Sequence, residues 1–134
     1  MPPDLSGFTP APAGVSALAP AGERGAGALA ARWDAIHAAA GVVAALAGVV
    51  PAALPPAVRA FPAAIARAGG QRLAVAWQGV DDLAAVLETG IRALLTMHGR
   101  GVSPRAPAEA LWAEFIAARD ALVTVAPPAT RLLG

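Results

Sequence analysis

Between residues 29 and 50 the apolar side chains recur in alternating steps of four and three: Leu29, Trp33, Ile36, Ala40, Val43, Ala47 and Val50. That rhythm places all seven on one stripe of an α-helix. A strand would instead alternate its side chains with period two. The same rhythm runs through Leu73, Ala76, Val80, Leu83, Leu87, Gly90, Leu94 and Met97, with Trp77, Ala84, Ile91 and His98 forming a neighbouring stripe at sevens. No segment alternates with period two for long enough to make a strand. The chain of 134 residues has room for one domain with one core. An all-α fold is expected: a small alanine-rich bundle of three to four helices behind an extended, proline-rich N-terminal arm.

Proline and glycine set the expected boundaries. Residues 1–22 hold Pro2, Pro3, Pro10, Pro12 and Pro20 with almost no charge, so they read as an extended arm whose apolar anchors are Leu5, Phe8, Val15 and Leu18. The bundle is expected over 23–126 and a short C-terminal tail over 127–134. The first helix starts near Arg24 and should stop at Pro51, with Pro55 and Pro56 keeping the chain open. A second helix over 57–68 presents Val58, Phe61, Ile65 and Ala68, with Pro62 tolerated in its first turn. Gly69-Gly70 ends it, and a third helix spans about 71–98. Ser103 is the expected cap of a fourth, over 104–125, with Pro104 at its first position and Leu111, Phe115, Ala118, Leu122 and Val125 facing inward.

Composition narrows the function classes. Alanine supplies 38 positions, and Ala, Gly, Pro and Arg together supply 75. Such a skew suits a GC-rich, bacterial genome. With no Cys, disulfides, thiolate metal sites and thiol nucleophiles are excluded. The ten arginines are scattered and the net charge is +1, so no basic patch for nucleic acid is expected. Residues 35–58 carry no formal charge and would be long enough to cross a bilayer. Pro51, Pro55, Pro56, His37 and the dominance of alanine favour a soluble core helix instead. The N-terminus lacks the basic start and apolar run of a signal peptide, which points to a cytoplasmic, particle-associated or non-classically exported protein.

Chemistry-bearing groups are sparse. Asp34 and His37 share one helical face, and with His98 they could hold a metal only if the fold brought two helices together. Asp81 and Asp82 point about 100° apart on a helix, so they cannot pair as acid and base. They read instead as favouring a helix N-terminus after Gly79. The serines at 6, 16 and 103 suggest no triad. Gly22-Glu23-Arg24-Gly25-Ala26-Gly27 lacks the strand and Lys of a phosphate loop. The expectation is a non-enzymatic protein without cofactor or metal.

Trp77-Gln78-Gly79, set between two helical heptad patterns, resembles the Trp-X-Gly helical-hairpin proteins of type VII secretion systems. The stretch from Arg72 to Leu83 is similar to their junction, and the resemblance covers residues 24–98. It implies an antiparallel hairpin bent at the motif, dimerisation into a four-helix bundle, and interaction roles for Trp77 and Gly79. This chain departs from that pattern in its dividing prolines, its lack of Tyr for the export signal, and its further helix. The function expected is a helical interaction protein, in its most specific form a secretion partner. The alternative is an assembly subunit of a phage-like particle or other multi-protein complex, its arm lying on a neighbouring subunit. Either reading implies a protein partner or a homo-oligomer.

Overall fold

In the computed structural model, residues 25–127 are described, and they form four α-helices with no strand. These are α1 (Ala26–Ala47), α2 (Pro56–Ala68), α3 (Gly70–Gly99) and α4 (Arg105–Val123). The anchors Leu5, Phe8, Val15 and Leu18 lie outside the described residues. The all-α expectation holds for the bundle.

Six of the seven seam residues of α1 are buried, from Leu29 to Ala47, but Val50 is 92% exposed. The stop comes earlier than Pro51. Gly48 adopts φ 71°, which lets its N–H reach the Ala45 carbonyl at 3.1 Å while Val49 N–H reaches that of Ala44 at 2.9 Å. This left-handed cap closes the helix three residues before the proline and turns Val50 outward. The Arg105 guanidinium lies beside the same cap, where a cation favours the carbonyl end of a helix.

Pro62 is the seventh residue of α2, not part of its first turn. An N–H at 62 would have bonded the carbonyl of Val58, four residues back. Proline leaves that carbonyl without its helical donor, and the buried indole of Trp33 donates to it at 2.8 Å. Trp33 also lies against Phe61, ring centroids 4.5 Å apart. One side chain of α1 therefore both fills the interface with α2 and satisfies its proline defect. Ala68 is exposed, whereas Val58, Phe61 and Ile65 are buried as their spacing predicts.

Gly69 (φ 60°) and Gly70 (φ 55°) then reverse the chain into α3, which runs unbroken through Gly79 to Gly99. Asp81 and Asp82 consequently sit in mid-helix rather than at an N-terminus. Asp81 lies 3.9 Å from Arg32 of α1, and Asp82 accepts from Gln78. Ala76, Trp77, Val80, Leu83, Ala84, Leu87 and Leu94 are buried, as the two stripes require, while His98 is exposed.

A second reversal lies further along the chain, at Arg100–Pro104. Ser103 Oγ accepts from Arg105 N–H at 3.3 Å, and the helix begins at Arg105, one residue later than expected. Gly79 of α3 faces Leu122 of α4, and Gly90 faces Leu111. The two glycines are eleven residues apart, as are the two leucines, close to three helical turns. The two glycines thus form notches on one stripe of α3, and α4 runs antiparallel with its leucines seated in them. His37 of α1 meets Phe115 and Gly48 meets Arg105, so α1 runs antiparallel to α4 and therefore parallel to α3.

Candidate functional site

Two regions of the described chain have features that packing alone leaves unused. The first is the outer face of α1. Ala31, Ala35, Ala38, Val42 and Ala45 repeat the same four-three rhythm as the buried seam, and all five are exposed. Val42 keeps 45% of its surface in contact with solvent. A helix on the surface of a globular protein normally shows charge on its outer side. Beyond Asp34, α1 shows none. Its stretch Gly27–Ala47 is long and apolar enough to cross a membrane by length and composition, with one third of it buried in the bundle.

The second region is a cleft of about 400 Å³ between α1, the 48–55 connection and α4. Its walls are mostly apolar and include Ala40, Val49, Leu54, Trp112, Phe115 and Ile116. Two polar side chains reach it, His37 from α1 and Arg119 from α4. Arg119 is 6% exposed, the only buried charged residue among those described. It sits 5.9 Å from the Phe115 ring centroid and donates through Nε and Nη2 to Asp120 Oδ1, each at 3.1 Å. Partnering of this kind is what allows a guanidinium to leave bulk water.

His37 Nδ1 lies 2.9 Å from the Trp33 carbonyl, which can only accept, so this nitrogen carries the proton. Nε2 is buried and has no hydrogen-bond partner among the described residues. Burial lowers the His37 pKa from its usual 6.5; the Trp33 bond opposes this, Arg119 adds to it, and Asp34 opposes it weakly. The imidazole is therefore neutral near pH 7, and Nε2 presents a lone pair. Orphaned buried acceptors are uncommon in folded proteins, because each forgoes the hydrogen bonds that water would make.

The residues singled out from sequence fall in different places. Trp77 is 6% exposed, packed in the bundle, and Gly79 is the notch for Leu122. His98 ends α3, and no group of three His, Cys, Asp or Glu able to hold a metal occurs among the described residues. His37 and Asp34 do share α1, but His37 turns toward Phe115 at 5.6 Å between centroids. Sequence reasoning missed Arg119 altogether and placed Ala118, which is exposed, in the core. The signal was present in the spacing: Ala108, Leu111, Phe115 and Arg119 step by three, four and four along one face. In comparisons with known proteins, the chain matches no family model, no curated protein and no solved structure.

Proposed function

We propose that this protein is a non-enzymatic helical interaction module that packs the outer face of α1 against the same face of a second copy. The exposed Ala31–Ala35–Ala38–Val42–Ala45 stripe carries the proposal. Small residues at this spacing let two helix axes approach closely, and a two-per-seven seam faces a partner helix. A bilayer is the weaker occupant. The opposite side of α1 already covers the core, with Leu29, Trp33, Ile36 and Val43 at most 3% exposed. Withdrawing the helix into lipid would strip that core.

Two versions of the module differ in purpose. A type VII secretion-like partner draws support from the Trp77-Gln78-Gly79 motif alone, since the α3–α4 turn lies at 100–104 and not at the motif. An assembly subunit of a larger particle draws support from α3, which passes through Gly79 without interruption and leaves the motif to pack α4. The unbroken helix favours the assembly version.

Sedimentation equilibrium at micromolar concentration tests the shared reading. The wild type should be a dimer or larger, with little salt dependence, and Ala38→Glu with Val42→Glu should give a monomer of unchanged helicity. A wild type that is monomeric, or that associates equally well with both glutamates in place, refutes it. Cofloatation of the wild type with neutral lipid vesicles would assign the face to a bilayer instead.

A further inference from the structure

We infer that the segment 128–134 folds back into the groove between α3 and α4, with Arg131 on Asp82 and with Leu132 and Leu133 over the apolar floor. No residue of α1 lines this groove, so the inference is independent of the α1 interface.

The groove suits a strand that is both basic and apolar. It encloses about 410 Å³, and Leu83, Val86, Phe115, Ala118 and Leu122 supply most of its walls. Val86 is left 40% exposed there. The charged residues that line it are Asp82 of α3 and Glu114 of α4, both exposed and neither in an ion pair among the described residues. Asp82 accepts from the neutral Gln78 amide at 3.1 Å. Three further clefts each carry a cation: Arg119 beside His37, Arg59 between α1 and α2, and Arg32 between α1 and α3. An arginine-bearing segment is therefore drawn to the α3–α4 groove and opposed by a like charge at the others.

Segment 128–134 reads Pro-Ala-Thr-Arg-Leu-Leu-Gly, with Arg131 its one charge and Leu132-Leu133 its large apolar pair. The chain leading to it already leans on the bundle, since Val125 and Ala126 pack partly buried against the core. The Gly79–Leu122 and Gly90–Leu111 contacts place Asp82 toward the Pro127 end of the groove and Glu114 at the far end. Leu122 and Glu114 are eight helical residues apart, about 12 Å. Seven extended residues span up to about 23 Å, so the segment can turn back and still cover the groove. Arg131 comes level with Asp82 first, and the leucines follow over Leu83, Val86 and Ala118. An ion pair this close to water contributes little, so the leucines supply most of the attraction and the charges set the register.

The chain has no cysteine, so an engineered pair reports proximity without competition. Ala118 lines the groove, whereas Ala117, one residue earlier on α4 and also exposed, does not. Under mild oxidation at low micromolar protein, Ala118→Cys with Leu133→Cys should form an intrachain disulfide about tenfold faster than Ala117→Cys with Leu133→Cys. Adding Leu132→Ser should remove most of that advantage, and adding Arg131→Glu should reduce it about two- to fivefold. Asp82→Arg combined with Arg131→Glu should restore it. Asp82, Ala117 and Ala118 are all exposed, so far-UV circular dichroism should show unchanged helicity throughout. Equal rates at 117 and 118 overturn the inference, as does a rate at 118 that neither Arg131→Glu nor Leu132→Ser alters. A disulfide that forms mainly between chains overturns it too, and gives the groove to a second copy.

Discussion

α1 and α2 are joined by bulk, whereas α3 and α4 are joined by its removal. At the first interface a tryptophan and a phenylalanine stack, and the indole N–H closes a hydrogen bond that Pro62 leaves open. At the second, two glycines on α3 accept two leucines of α4, and the helix axes can come close. Both arrangements answer the same shortage. Alanine seams bury little area per turn, and only a few large side chains are available to add roughly 1.5–3 kcal/mol each. One interface concentrates its large groups at a single point. The other lets ordinary leucines reach further into the neighbouring helix.

The sharpest way to break this comparison is Trp33→Ala. Truncating a buried aromatic costs about 3–5 kcal/mol, and the Val58 carbonyl would also lose its donor. Chemical denaturation should show a larger loss than for Trp77→Ala, which forfeits a similar volume from α3. If Trp77→Ala proves the costlier, the clasp on α2 is not the principal anchor.

Next in size are the two notches. Glycine to alanine gains about 1 kcal/mol of helix propensity, and overpacking costs about 1–3 kcal/mol where the neighbour cannot move. Leu111 is 9% exposed and hemmed in, while Leu122 is only half-buried and can turn aside. Gly90→Ala should therefore destabilise by about 1–2 kcal/mol, and Gly79→Ala should stay within about 1 kcal/mol of wild type. Thermal melts in which both alanines stabilise equally would show that the leucines do not depend on the notches.

The smallest effect is the most specific. In the Pro62→Ala background a backbone N–H returns beneath the Val58 carbonyl, so the indole is no longer its necessary donor. Trp33→Phe should then cost about 1 kcal/mol less than it does beside Pro62, a coupling that a double-mutant cycle can resolve. Strictly additive costs would mean that the two residues act separately.

Much of the bundle was legible because helical packing leaves a periodic trace. The Leu29–Ala47 and Leu73–Leu94 stripes, the glycine pair at 69–70 and the break after His98 each follow from spacing or from backbone chemistry. Val50 was not legible, because the residue that ended its helix was Gly48, whose left-handed cap acts before the proline does. The cleft was less legible still. His37 entered the sequence reading as a conditional metal ligand and Arg119 as one of ten scattered arginines, and nothing local links positions 37 and 119.

What the sequence by itself determined was the element type and the set of residues able to form a core, since both depend on steps of three and four along one chain. It marked Leu29–Trp33–Ile36 as the core side of α1 but left open what the Ala31–Ala35–Ala38 side would meet. Nor could it show that Pro62 needs an indole from 29 residues away, or that Gly79 is a seat for Leu122 rather than a bend. The tertiary structure decided these, because burial and hydrogen-bond satisfaction belong to pairs of helices. A periodicity within one helix marks which side chains share a face and leaves open what that face will meet.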